Sequence, residues 1–276
     1  MTTVSTPRRV TVWTALLAVI VYIAIAVFLG DFLSGLADDD QPLLQFVLGH
    51  LGALPAGIVI LLLYVRWAGN SADVWRERPT PMLRPRRLWL IIIPVLALVV
   101  AISNLFDVVW SETSLAMAAL IASGTLLVGL GEELAIRGVL LTAVRARHGE
   151  LATLLVTSFV FGLAHAPGYV ISGLPPLLIV VQVFALAAAG AVFYWVRRVS
   201  GLLWVGVLLH AFSDWALYMG TATELPSTSI PQDHAASSDT TLVGLLQVAL
   251  WVALAVSVIS VIREDRRNKR QKAVLA

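Results

Sequence analysis

Residues 126–144, LLVGLGEELAIRGVLLTAV, set two adjacent carboxylates, Glu132 and Glu133, and one guanidinium, Arg137, into a run that is otherwise almost wholly apolar. A charge at the centre of a bilayer costs about 2.5–3.5 kcal/mol even on the gentlest scale, so three such groups imply a use or a partner. Helical spacing separates their jobs. Glu133 and Arg137 are i and i+4, share a face and can pair. Glu132 points about 100° away from Glu133 and is the carboxylate left over for chemistry.

Working outward, the same pattern recurs. The chain has 276 residues, 59% of them hydrophobic and 13% charged, about half the charged fraction of a soluble domain. Its apolar runs are long and continuous rather than ten-residue and alternating, which marks an all-α integral membrane protein and not a β-barrel. Cysteine is absent, so disulfides, thiolate metal sites and cysteine nucleophiles are excluded.

About eight membrane spans follow in order, over residues 11–29, 43–67, 88–106, 115–144, 151–166, 177–196, 202–219 and 241–262. Arg8 and Arg9 precede the first. A secretory or twin-arginine signal is the competing reading, but the run is long for a signal core, so it reads as an uncleaved span. Span four exceeds the roughly twenty residues a bilayer needs; it tilts, breaks near Gly129 and Gly131, or continues beyond the membrane. Span five is expected to end at Pro167-Gly168. His50, near one end of span two, reads as a satisfied interfacial or core histidine rather than a functional one. A polar loop, 220–240, carries Glu224, Asp233, His234 and Asp239. No internal repeat or soluble domain is evident, so the chain reads as one membrane domain, 1–276.

Charge sorting predicts orientation. The N-terminus, the segments after spans two, four and six, and the C-terminus hold 18 of the 19 Lys and Arg residues, with Arg66 at the end of span two counted among them and Arg137 the exception. The intervening loops hold nine of the seventeen acids and no basic residue. The positive-inside rule then puts both termini in the cytoplasm of a multi-pass plasma-membrane protein. The basic tail serves topology and anionic lipid rather than nucleic acid. Seventeen arginines against two lysines suggest a bacterial source.

Six ionisable side chains fall well inside spans: Glu132, Glu133, Arg137, His165, His210 and Asp214. Counting from the cytoplasmic ends, Glu132 lies roughly 18 Å deep, His165 roughly 21 Å and His210 roughly 13 Å, all near the middle of a core about 30 Å thick. His210 and Asp214 are i and i+4, where a carboxylate can orient a histidine. Phe161 lies one turn before His165. Small residues (Gly162, Ala164, Ala166, Ala211) would let helices approach closely. Such a set suits activation of water by Glu132 as general base, with a histidine stabilising or protonating the tetrahedral intermediate. It also offers Glu132, His165 and His210 as candidate zinc ligands, although no HExxH is present. Two other readings remain: a non-catalytic immunity or scaffold protein that keeps the polar set as a helix lock, and a proton-coupled transporter, which repeat symmetry with broken helices would favour.

These residues resemble a known family. GEELAIRG (131–138) is similar to the EExxxR motif of the CPBP family, also called the ABI or CAAX-protease-like family. FGLAH (161–165) resembles its FxxxH motif and HAFSD (210–214) its HxxxN or HxxxD motif, in the expected order over a core of about 115–218. The resemblance implies an intramembrane endopeptidase related to the type II CAAX prenyl proteases, either glutamate-dependent and metal-free or a metalloprotease, acting on a peptide or membrane protein. It implies that Glu132 activates water, His165 assists, and His210 and Asp214 position groups and stabilise the oxyanion. Glu133, Arg137 and Phe161 are supporting. Asp214 stands where the prenyl-protease members carry Asn. A carboxylate donates no hydrogen bond unless protonated, so orienting His210 or binding a metal suits Asp214 better than an oxyanion hole. Oligomeric state is not legible.

Overall fold

A computed structural model describes residues 10–83, 85–220 and 241–275. The double-arginine segment before residue 10 and most of the 220–240 loop lie outside them. Eight long helices carry the fold: α1 (Val12–Ser34), α2 (Pro42–Ala68), α3 (Leu88–Asp107), α4 (Leu115–Arg145), α5 (Glu150–Ile171), α6 (Pro176–Ser200), α7 (Leu203–Gly220) and α8 (Thr241–Leu275). The chain is an all-α multi-pass membrane protein; 86% of the described residues are helical and none of them forms a strand.

Seven of these helices are long and apolar enough to cross a bilayer. The exception among the eight expected spans is α7, and the reason lies in its composition. It has only 18 residues, and His210, Ser213 and Asp214 dilute its apolar face. Large apolar residues point outward from the bundle, among them Leu17, Val59, Leu63, Val95, Leu98 and Leu208, as hydrocarbon contact requires.

Local chemistry explains the boundaries. Thr11 and Thr14 form a reciprocal capping box at the start of α1. Ser114 accepts the Met117 N–H at the start of α4. Gly69 and Gly201 end α2 and α6 in the left-handed region, at φ 71° and 73°, where a glycine carries no Cβ penalty. The α4 helix is continuous from Leu115 to Arg145, so no break occurs at Gly129 or Gly131. Instead its ladder widens to a π-helical stretch over Leu134–Leu140, immediately after Glu133. Such stretches inside α-helices concentrate at functional sites. Pro167 does not end α5, which runs on to Ile171; membrane helices tolerate proline where neighbours satisfy the freed groups.

Close packing follows small residues. A Cβ on Gly129 would meet the Val207 carbonyl at 2.8 Å and the Ala211 nitrogen at 2.9 Å, so α4 and α7 touch backbone to backbone. A Cβ on Gly162 would land on the Val183 carbonyl, which binds α5 to α6 the same way.

One end of the bundle is tied by a charge network. Arg145 pairs with Glu77 and, at 2.8 Å, with Glu150. Arg198 joins Glu264 at 2.9 Å and Glu150 at 3.7 Å, and Arg87 reaches Glu264 at 2.7 Å. Asp265 of α8 accepts the Glu150 and Leu151 N–H groups, so the first turn of α5 is capped from another helix. Arg147 donates to the Val10 carbonyl. Every segment expected on the basic side that the structure describes therefore meets at this end. His50 is fully buried, donates Nδ1–H to the Phe46 carbonyl at 3.0 Å and stacks on the Phe46 ring; it is a core histidine, but only half satisfied, since Nε2 meets no hydrogen-bond partner among the described residues.

Candidate active site

The packing of α4 against α7 and α5 brings the ionisable residues together. Glu132 Oε1 lies 3.9 Å from His165 Nε2, and its Oε2 lies 3.7 Å from His210 Nε2. His210 Nε2 is also 3.5 Å from Asp214 Oδ2. These separations exceed an ordinary hydrogen bond and suit groups that share a small molecule between them. All sit deep: the side chains of His165 and His210 are 4% exposed, Asp214 8% and Glu132 16%. Glu132 is thus the carboxylate with most access, as its angle on the helix implied.

Each imidazole is held on its far side. His165 Nδ1–H donates to the Phe161 carbonyl at 2.9 Å, one turn back on α5, which leaves Nε2 toward Glu132. His210 Nδ1 lies 3.3 Å from Glu133 Oε1 and its ring stacks on Phe193 of α6, centroids 4.4 Å apart and planes at 17°. Such outer contacts set ring orientation and tautomer.

Glu133 and Arg137 pair as their spacing implied, Arg137 Nη1 standing 3.4 Å from Glu133 Oε1, both side chains fully buried. Glu133 does more than hold Arg137, since the same oxygen faces His210. Arg137 also donates to the Gly190 carbonyl at 3.0 Å and lies over the Phe161 ring, 4.7 Å from its centroid. Gly206 makes room for Glu133, because a Cβ there would stand 2.9 Å from Oε2.

The histidines and Asp214 border a cavity of about 640 Å³ between α3, α5, α6, α7 and α8. Apart from the site residues, its polar lining consists of Asn104, Gln182, Ser213 and Gln247, and most of the rest is aliphatic or aromatic. An apolar cavity with a few placed polar groups is the usual form of a binding site.

Sequence reasoning brought Glu132, His165, His210 and Asp214 to one place, with Glu133, Arg137 and Phe161 around them. It missed Phe193 and Gly190 of α6, where no ionisable side chain lies in mid-span and the uncharged Gln182 was the one polar signal. It also missed Tyr22 of α1, which lines a space beside Glu132 and His165. A signal for Tyr22 existed: a tyrosine eleven residues into a span lies away from the interfaces where that residue normally sits. As for zinc, among the described residues no group of three or more His, Asp or Glu side chains is arranged to hold a metal ion. Glu132, His165 and His210 converge without closing into a ligand set, so no step below runs through a metal.

Residues 113–216 match the family model described as type II CAAX prenyl endopeptidase Rce1-like. No curated protein and no solved structure gave a significant match.

Proposed function

We propose that this chain, whose residues 113–216 match the type II CAAX prenyl endopeptidase family model, is a CPBP-type (CAAX-protease-like) intramembrane endopeptidase in which Glu132 activates the attacking water. The single observation that carries the reading is the placement of one partly accessible carboxylate within 4 Å of two imidazoles, each anchored on its other nitrogen. A general base must lie within reach of the proton it takes, directly or through one water.

Glu132 takes a proton from water as the oxygen attacks the scissile carbonyl carbon. The C–O bond forms, and the carbonyl electrons move onto oxygen. Because each Nδ1–H is already given to the Phe161 carbonyl or to Glu133, His165 or His210 stabilises that developing charge by donating from Nε2 as imidazolium. The tetrahedral centre collapses, the C–N bond breaks, and the proton held on Glu132 passes to the leaving amine. Asp214, an acceptor when ionised, orients His210 rather than binding the oxyanion. Glu133 does the same from the Nδ1 side and is itself held by Arg137. The 640 Å³ cavity receives the peptide, and among the described residues it has no lysine, arginine or glutamate in its lining, which suits an uncharged, apolar segment. We place the basic end of the bundle, with both chain termini, in the cytoplasm of a bacterial plasma membrane.

Purified protein in lipid vesicles, given an internally quenched farnesylated peptide ending in a CAAX box, beside the same peptide without the lipid, tests the reading. Cleavage is expected from wild type, and loss of at least about 100-fold from Glu132→Gln with elution profile and melting temperature retained. Full activity in Glu132→Gln overturns it. Metal analysis of the same preparations decides whether a metal accompanies the glutamate: zinc that disappears in a His165→Ala/His210→Ala variant would assign it there.

A further inference from the structure

Glu132 borders a second, much smaller cavity of about 30 Å³. A water molecule needs roughly 10–15 Å³ of such space and two to four polar partners. Three lining side chains have polar heads, Tyr22, Glu132 and His165; the others are aliphatic or aromatic. Tyr22 comes from α1, ninety residues before the matched segment begins. It is 3% exposed, and its ring is gripped between two glycines. A Cβ on Gly57 would stand 2.8 Å from Tyr22 Cδ2; one on Gly131 would stand 2.6 Å from Cζ and fall on the hydroxyl itself. The hydroxyl therefore rests on the α4 backbone one residue before Glu132. Packing alone would be served by phenylalanine; a hydroxyl there supplies a donor and an acceptor.

The two cavities divide the site. Glu132 lines only the small one, His210 and Asp214 only the large one, and Phe161 and His165 line both. We propose that the small cavity is the station of the nucleophilic water and that Tyr22 is the positioning residue that holds it against Glu132. The peptide occupies the large cavity, and attack crosses between them at His165. The proposal rests on the hydrolytic reading for its chemistry, yet the station itself is measurable without a substrate.

The test uses the full chain in vesicles, as wild type, Tyr22→Phe, Gly131→Ala, Glu132→Gln and a control, Tyr64→Phe. Tyr64 bonds Thr14 on α1 away from the site, so its variant removes a hydroxyl from the same helix pair. Infrared difference spectra between ordinary and ¹⁸O water, with no peptide present, report internal water. An ¹⁸O-sensitive O–H band is expected in wild type and Tyr64→Phe, and is lost or shifted in Tyr22→Phe, Gly131→Ala and Glu132→Gln. With the quenched farnesylated peptide, Tyr22→Phe lowers kcat about 10- to 100-fold with KM within about twofold. An unchanged water band in Tyr22→Phe, or an effect confined to KM, overturns the proposal. Cleavage by Glu132→Gln would overturn the hydrolytic reading instead, and the water band would still decide the station. Gly131→Ala displaces the hydroxyl while keeping Tyr22, so the band remains informative if Tyr22→Phe fails to fold.

Discussion

Glu133 stands at the junction of two demands. Its Oε1 faces Arg137 at 3.4 Å and His210 at 3.3 Å, all three groups buried. Breaking a buried ion pair from one side leaves the other charge uncompensated, at a cost of about 3–5 kcal/mol. Arg137→Ala is therefore expected to unfold at lower denaturant than wild type by about that amount, read from loss of helical circular dichroism in mixed micelles; wild-type stability would show that the pair is dispensable. The i, i+4 relations, Glu133 with Arg137 and His210 with Asp214, were legible in the sequence because both partners sit on one helix. The contact of Glu133 with His210 was not, because it depends on how far α4 and α7 rotate toward one another. The stacking of His210 on Phe193 was hidden for the same reason.

At the scale of the helix, α4 carries a π-helical stretch over Leu134–Leu140, as α1 and α2 do over Ile25–Leu29 and Val47–Gly52. No sequence rule marks such a stretch, whereas the span's existence, its excess length and its ionisable residues were all readable from hydropathy and spacing. Helix contacts were readable only in kind. Gly162 announced that some helix comes close, and Gly129 read instead as a candidate break; which helix meets each of them required the structure. The contrast yields a prediction that runs against helix propensity, on which alanine exceeds glycine. Gly129→Ala pushes a Cβ into the α7 backbone and is expected to cost about 1–3 kcal/mol by overpacking. Gly244 of α8 has nothing within 4 Å of its added Cβ, so Gly244→Ala is expected to stay within about 0.5 kcal/mol of wild type. Unfolding of both variants in mixed micelles checks the pair; equal stabilities would mean that α4 and α7 are not held at backbone contact.

For the whole molecule, the charge network and the charge count are independent facts that agree. Counting basic residues by loop assigned the N-terminus, the segments after α2, α4 and α6, and the C-terminal tail to one side without reference to any contact. The structure then ties Val10, Glu77, Arg145, Glu150, Arg198 and Asp265 together at one end, while the loops around Asp39, Ser111 and Ser172 lie after helices that run the other way. A shared end does not by itself face the cytoplasm; the density of arginine there supplies the direction, since basic segments resist translocation. The absence of cysteine makes this directly measurable. Single-cysteine variants Ser71→Cys, His148→Cys and Asn268→Cys, all at exposed positions, are expected to resist a membrane-impermeant maleimide in intact bacterial cells expressing the chain and to react once the cells are opened. Asp39→Cys, Ser111→Cys and Ser172→Cys are expected to react in intact cells. The reverse pattern would invert the protein and turn the basic end outward. A mixed pattern within either set would break the eight-helix threading that brings Glu132, His165 and His210 to one depth.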